Sequence, residues 1–362
     1  MSKIRLAIAG IGNCASSLVQ GLSYYSENHS TETAGLLHPE LGGYRLRDIK
    51  PVAAFDIDSR KVGRPLEEAV FAPPNCTAIF HHELPKTGVT VRMGPVLDGV
   101  ASHMKNYPEN QAFRVADEKS CDVAQALRDA KADVLICYMP VGSEEATQHY
   151  AQAALDTGTA FVNCMPVFIA SNPEWAEQFR KKNVPIVGDD VKSQLGATIT
   201  HRVLTRLMGD RGVKLDRTYQ LNTGGNTDFL NMLEQTRLRT KRISKTQSVQ
   251  SQLDTPLPPE NIHIGPSDYV AWQKDNKVCF VRMEWRGFGD VPCNLEMRLS
   301  VEDSPNSAGV TIDAIRCAKL ALDRGEGGPL DAISSFAMKH PPRQMRDSEA
   351  RELLEKWIAG KL

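Results

Sequence analysis

The chain lacks any stretch near the ~18 consecutive apolar residues that a membrane-spanning helix needs. Its opening, MSKIRLAIAG, also lacks the charged, apolar and small-residue pattern of a signal peptide. It carries no surplus of either charge: 43 basic residues stand against 44 acidic ones, a net −1. No overall field therefore favours nucleic acid or an anionic membrane, and any anion has to be met by a local cluster. Metal and disulfide spacings are missing too. The eight cysteines (Cys14, Cys76, Cys121, Cys137, Cys164, Cys279, Cys293, Cys317) form no CxxC pair, and the nine histidines form no HxxxH. Reduced core thiols in a cytoplasmic protein are the expectation. There is no internal repeat and no low-complexity tract. What remains is an ordinary globular composition, 41% hydrophobic and 24% charged over 362 residues, with about two domains as the prior.

Through the first 200 residues or so, short apolar runs alternate with helical patterns. IRLAIAG precedes a helix beginning near Asn13, KPVAAFDID reads as a second strand, and DVLICYMP follows the helical DVAQALRDAKA. AFVNCMP follows a helix that Ser143 could cap, and VPIVGDD leads into the helical SQLGATITHRVLTRLMG. Near-continuous apolar strands alternating with helices predict an α/β fold with a doubly wound parallel sheet of Rossmann type. After Arg211 the pattern changes. LDRTYQLNTGG, KVCFVRMEWRGF and NLEMRLSVED read as closely spaced strands, with a helical stretch between the first two. An inserted α+β domain with a mixed sheet is expected there. The expected bounds are 1–211 for the first domain, 212–304 for the insertion, and 305–362 for helices returning to the first domain.

In GIGNCA, Gly10, Gly12 and Ala15 have the GxGxxG/A spacing of a dinucleotide loop. There the first glycine makes the turn after the strand, the second admits a pyrophosphate to the backbone, and the third small residue allows close helix–strand packing. The helix N-terminus that follows would supply N–H donors to phosphate. A structural turn is the alternative. Asp56 ends the second strand, where a carboxylate accepts from a ribose hydroxyl and repels a 2′-phosphate, which favours NAD over NADP. Its distance from the loop exceeds the usual spacing of about 20 residues, so residues 26–48 read as an insertion, and a solvated strand end is the other reading of Asp56.

Three later stretches place polar residues where a core would not. VGDDVKSQLGA gathers Asp189, Asp190, Lys192 and Ser193 at a strand's C-terminal end, where open α/β sheets hold ligands. LNTGGNTDFLN sets Asn222, Asn226 and Asp228 around two glycines. RTKRISK spaces Lys241 and Lys245 four apart, on one face of a helix, which is unfavourable unless an anion lies between them. Taken singly, each stretch could be a solvated face or turn.

In order along the chain, GIGNCASSLVQGL, MPVGSEEA, VPIVGDDVKSQLGATITHR, LNTGGNTDFLNM, KRISKTQ, GPSDYVAW, GFGDVP, EDSPNSAGV and MKHPP resemble the inositol-3-phosphate synthase family, also called myo-inositol-1-phosphate synthase. The likeness covers nearly the whole chain and is closest to the short bacterial members. The chain departs from eukaryotic members in lacking their N-terminal extension and long inserts, and in reading GIGNCAS at the first loop. The resemblance implies conversion of D-glucose 6-phosphate to 1D-myo-inositol 3-phosphate, with bound NAD regenerated in each turnover. Family members oxidise C5 of the open-chain sugar, enolise the ketone at C6, close the ring on the C1 aldehyde and return the hydride. By motif, the family's active-site lysines fall on Lys241, Lys245, Lys277 and Lys339, with Asp190 and Asn226 beside the substrate. The cofactor set the resemblance implies is Gly10, Gly12, Asn13, Cys14, Ala15, Asp56, Pro140, Gly142, Asp189, Lys192 and Ser193. Family members differ between a divalent metal and a monovalent cation, and Asp190, Asp303 and Ser304 are the expected ion ligands. A homotetramer built through the sheet of the second domain is implied as well.

Crowded ammonium groups lower one another's pKa, so one of the lysines can serve as a base. Two other function classes stay open on sequence. One is a sugar-phosphate dehydrogenase that releases an oxidised product and uses the lysines only for phosphate. The other is a non-catalytic NAD-binding regulator, which would have no need of a lysine cluster.

Overall fold

The computed structural model describes residues 3–27 and 33–362. Of the expected insertion 26–48, residues 28–32 lie outside the described residues; the rest includes a short hairpin and a turn of 3₁₀-helix. In chain order the strands are β1 (Ile4–Ala9), β2 (Glu40–Leu41), β3 (Tyr44–Arg45), β4 (Ile49–Asp56), β5 (Val91–Met93), β6 (Val134–Cys137), β7 (Ala160–Asn163), β8 (Pro185–Val187), β9 (Lys214–Gly224), β10 (Ile262–Tyr269), β11 (Asn276–Arg286), β12 (Pro292–Glu302) and β13 (Gly328–Pro329).

Seven of these form one parallel sheet in the order β13-β8-β7-β6-β1-β4-β5. Both faces are covered, and the alternation along β1 shows how. Ile4, Leu6 and Ile8 meet Leu18 and Leu22 of the helix Asn13–Glu27 and Ile312 and Ile315 of the helix Asp303–Arg324. Ala7 and Ala9 face the opposite layer, with Leu127, Ala151 and Phe179 from the helices Val123–Ala130, Glu144–Thr157 and Pro173–Lys181. Burial on both sides is why these strands read as unbroken apolar runs. The chain reverses direction across the sheet at β1, so a crevice opens at the C-terminal ends of β1 and its neighbours.

A second, four-stranded sheet has the order β10-β9-β11-β12. β10 runs parallel to β9, and the other pairings are antiparallel, so the sheet is mixed as expected. Its inner face (Leu215, Ile264, Val281, Met283) packs with Met208 and Val249 of the helices Ala197–Asp210 and Arg239–Gln250. Five strands escape the sequence reading: the two-residue β2 and β3, the three-residue β5, and β10 and β13. β10 is interrupted by Gly265 and Pro266 and looks like loop, and β13 is a Gly-Pro pair recruited by β8. The cap of the helix Glu144–Thr157 also differs from expectation. Ser143 makes no side-chain cap, and Asp98 takes that role from a distant loop, accepting from the N–H groups of Glu145 (2.8 Å) and Ala146 (3.0 Å). No described helix is long and apolar enough to cross a membrane.

Candidate active site

Four loops at the C-terminal ends of adjacent strands floor one cleft: Gly12–Cys14 after β1, Tyr138–Val141 after β6, Cys164–Met165 after β7, and Asp190, Val191 and Ser193 after β8. Its roof is Gln220 and Asn222 of β9, the segment Asn226–Phe229, Lys241 and Lys245, Lys277 of β11, Asp303, Ser304 and Lys339. The glycine loop and all four expected lysines thus share one space.

The glycine loop is built for close approach. Gly10 has φ +88°, and a Cβ there would lie 2.5 Å from the Tyr138 carbonyl oxygen, so only glycine fits. A Cβ on Gly12 would meet nothing within 4 Å, which leaves open space over the start of the helix. The Ile11 peptide between them is gripped at both ends. Asp56 Oδ2 accepts from its N–H at 2.7 Å, while Lys61 Nζ (2.8 Å) and Asn75 Nδ2 (3.0 Å) donate to its carbonyl. Ala15 is fully buried at the helix–sheet contact, the position its small size suits. Asn13 lines the cleft, but its amide oxygen serves the N–H groups of Cys76 and Thr77. Burial pushes the Cys14 thiol up to about 12, so it enters the cleft as an uncharged group. A backbone cradle with room above it, a helix N-terminus and a carboxylate at the end of β4 fit a dinucleotide.

Asp190 organises the lysines. Lys241 donates to its Oδ1 at 2.9 Å, Lys339 to the same oxygen at 3.1 Å, and Ser244 to Oδ2 at 2.6 Å. Burial opposes the charge on Asp190, but the two ammonium groups outweigh it and hold the carboxyl well below the usual carboxylate range. Lys241 is likewise buried, yet Asp190 raises its pKa. Lys245 differs. Its ammonium nitrogen has no hydrogen bond or ion pair among the described residues, and burial together with Lys241, Lys277 and Lys339 pushes it down to about 7. Lys339, buried and close to the other lysines, falls to about 8. Lys277 pairs with Asp303. One face of the cleft therefore holds both fixed cations and an amine that is largely uncharged just above neutrality.

Two further groups matter. Asn222 Nδ2 is buried and has no partner, while its Oδ1 accepts from Gln220 at 3.1 Å, so an unspent donor lies against the cleft. Asp275, which the sequence reading missed, is buried behind Asn226 and Ser304. It accepts from Asn226 Nδ2 (2.9 Å), from the Ser304 N–H (3.1 Å) and from Ser304 Oγ (3.0 Å), and burial raises it to about 6. Asn226 accordingly acts as a brace: its oxygen caps the short helix Thr227–Asn231 and its nitrogen holds Asp275.

Several expected contacts turn away from the cleft. Asp189 is fully buried in the opposite direction, accepting from Asn163, from Ser171 Oγ and from the N–H groups of Ile169, Ala170 and Ser171. It fixes the loop after β7 and has no lone pair aimed at a cofactor. Lys192 points beneath the cleft, to the Ser335 carbonyl (2.9 Å) and Asp347 (3.2 Å). Gly142 is covered by Arg237, whose Cβ a side chain there would strike at 2.5 Å. Pro140 and Ser193 do line the cleft. The expected ion ligands already have partners within the protein. Asp190 and Asp303 are each neutralised by lysine and Ser304 is turned to Asp275. Among the described residues no group of three His, Cys, Asp or Glu side chains could hold a metal. This donor set does not fit a divalent cation, whose place the ammonium groups take.

Comparison with known proteins agrees with this architecture. Residues 196–304 match the family model described as myo-inositol-1-phosphate synthase. The chain is 56% identical to the inositol-3-phosphate synthase of Mycolicibacterium smegmatis, over 99% of this chain and 98% of that one. It is also 56% identical to the enzyme of the same name from Corynebacterium glutamicum, over 99% and 98%. Among solved structures, a myo-inositol-1-phosphate synthase-related protein from Thermotoga maritima superposes with a TM-score of 0.81 at 26% identity, covering 99% of this chain and 98% of that one.

Proposed function

The chain belongs to the myo-inositol-1-phosphate synthase family, and on that premise we propose that it is an NAD-dependent isomerase converting D-glucose 6-phosphate to 1D-myo-inositol 3-phosphate. The observation that carries this reading is the convergence of Lys241, Lys245, Lys277 and Lys339 on the cleft that begins at the glycine loop. A binding protein has no use for a buried amine held near neutrality beside three other lysines.

Gly10, Gly12, the N-terminus at Asn13, Asp56 and Pro140 are the residues that would hold NAD, which when bound takes a hydride from C5 and returns it after ring closure. Lys241, Lys277 and Lys339 supply the positive charge that a phosphate dianion and an enolate oxygen both need. Lys245, uncharged, takes the C6 proton made acidic by the neighbouring ketone. As C6 attacks C1, the new alkoxide recovers that proton from Lys245, and the C5 hydroxyl proton given up with the hydride is taken back when the hydride returns, so the site ends each turnover in its starting protonation state. Asp190 bridges Lys241 and Lys339 and favours their charged forms without itself competing for the proton, and Asn222 Nδ2 offers a donor to a substrate oxygen.

The proposal extends to a cytoplasmic homotetramer. The outer face of the second sheet leaves Tyr219, Leu221 and Phe280 exposed at 36%, 43% and 43%, an apolar surface on a sheet with one free side. The test is to identify the product formed from glucose 6-phosphate with a catalytic amount of NAD.

A further inference from the structure

We propose that Arg202 is a positioning residue for the lysine cluster, tying the helix that carries Lys241 and Lys245 to the segment that carries Lys339; this rests on the reading of the cleft given above. Arg202 lies on the helix Ala197–Asp210, outside the cleft, and is fully buried. Its guanidinium reaches two elements at once. On one side NH1 donates to the Ser248 carbonyl at 2.6 Å. On the other, NH2 donates to the Met345 carbonyl at 2.8 Å and Nε to Asp347 Oδ2 at 3.1 Å.

Both partners are close in sequence to the reactive lysines. Lys241, Lys245 and Ser248 follow one another at i, i+4 and i+7, one stripe of the helix Arg239–Gln250. Met345 and Asp347 follow Lys339 after a short stretch, and the Gln344 side chain folds back to the Lys339 carbonyl at 2.7 Å. Asp347 also receives Lys192, two residues past Asp190. A second charge cluster, of buried Lys192 and Arg202 with half-buried Asp347, therefore lies beneath the first and touches every segment that supplies Lys241, Lys245, Lys339 or Asp190. The planar fork suits this role, since a guanidinium holds its donors in fixed directions toward acceptors on different elements while the donors of an ammonium rotate.

The physical consequence is specific. Lys245 is held near neutrality by burial and by the proximity of the other lysines. Any loosening of the two elements that admits water raises its pKa and charges the proposed base, while the glycine loop, on the far side of the cleft, is unaffected. Arg202 acts on proton transfer through placement and never touches the substrate.

The test uses the full-length protein and compares wild type, Arg202→Ala and Arg202→Lys. Each is assayed for inositol phosphate formation across pH, for NAD affinity and for thermal melting. Expected for Arg202→Ala is a fall in kcat on the order of 10²-fold with NAD affinity retained, partly restored by added guanidinium. Arg202→Lys keeps the buried charge but not the fork. It should fold, lose kcat more than it gains KM, and show the acid limb of its rate profile displaced upward by about half a pH unit or more. Should Arg202→Ala fail to fold, Arg202→Lys decides. Wild-type kcat and an unmoved acid limb in Arg202→Lys, alongside an active wild type, overturn the proposal. A wild type that forms no inositol phosphate would instead overturn the functional reading.

Discussion

Ser244 Oγ donates to Asp190 Oδ2 at 2.6 Å, so the residue directly before Lys245 anchors the helix Arg239–Gln250 to the loop after β8. This bond and the Lys241–Asp190 pair span the cleft between the two sheets. Replacing Asp190 by Asn keeps the shape and removes the anion. Lys241 and Lys339 then face each other without a counter-charge and their pKa values drop, leaving less positive charge for phosphate and enolate. Turnover should fall on the order of 10²-fold, with a weakened response to glucose 6-phosphate concentration in steady-state kinetics. An unchanged kcat/KM would remove Asp190 from the organisation of the site.

The depressed lysines also set a pH dependence of stability. Lys192 and Lys245 (about 7) and Lys339 (about 8) titrate below their ordinary value in the folded chain. At these amines the unfolded chain thus binds more protons between pH 7 and about 10, so their contribution to stability rises with pH and the buried-cation cost is full below that window; the buried thiols of Cys14, Cys76 and Cys137, raised to about 12, oppose the rise from about pH 8.5. Lys241, raised by Asp190, works the other way only above its unfolded pKa of about 10.4. The melting temperature of ligand-free protein should climb from about pH 6.5 to about pH 8, and inorganic phosphate should flatten the climb by supplying the missing anion. A flat profile without phosphate would mean that these amines are not buried together.

The glycine loop, the parallel strands and the i, i+4 lysine pair were legible because each is a local pattern: a turn between strand and helix, a run buried on both faces, a charged stripe. The loop Asp189–Lys192 was legible as polar but not in its directions. Asp190 has φ +63°, and this reversal sends Asp189 inward to the loop after β7, Asp190 into the cleft and Lys192 beneath it. Composition alone cannot assign those directions. Arg202, Lys61 and Asp275 were missed for a related reason. Their partners lie far away in sequence, and an isolated Arg or Asp inside a helix or turn looks like surface until the fold buries it. The clue available was that the helix Ala197–Asp210 sets His201 and Arg202 among apolar neighbours.

Both carboxylate oxygens of Asp56 accept from backbone, Oδ2 from the Ile11 N–H and Oδ1 from the N–H groups of Ile57 (2.7 Å) and Asp58 (2.8 Å), so a ribose would have to share them. Asp56→Ala should weaken NAD binding by about 1–3 kcal/mol, the scale for losing a charged hydrogen-bond partner. Titration calorimetry with the ligand-free protein reads this directly. NAD affinity equal to wild type would place the ribose elsewhere.

The proposed domain bounds make 212–304 an insertion and 305–362 a return to the first domain. The helix Asp303–Arg324 packs on the seven-stranded sheet, β13 joins its edge, and Asp347 pairs with Lys192 and Arg202. Ending the chain after Arg346 removes Asp347 and leaves two buried cations without their anion, a loss of about 3–5 kcal/mol by analogy with broken buried pairs. The truncated protein should melt lower, and because it also loses Leu354, which shares a core with Leu18 and Leu22 of the helix after the glycine loop, it should bind NAD more weakly. Equal melting and NAD binding would count against this arrangement.

A synthase and a dehydrogenase differ in where the hydride ends. The cleft places the glycine loop and the amine of Lys245 in one space, so an oxidised intermediate can be enolised, cyclised and reduced without leaving. Purified protein given glucose 6-phosphate and substoichiometric NAD should then form many equivalents of inositol phosphate with no net rise in NADH absorbance. With substrate deuterated at C5, the label should return to the product ring. Lys241→Ala and Lys245→Ala should each lower turnover on the order of 10²-fold or more while NAD still binds, because neither side chain makes a hydrogen bond or ion pair to the glycine loop. The two variants should also differ from each other. Losing Lys245 removes the base, so exchange of the C6 proton with solvent should stop, whereas losing Lys241 should weaken phosphate binding as well. NADH accumulating in step with product, or label passing to an external acceptor, would make the protein a dehydrogenase whose lysines only bind phosphate.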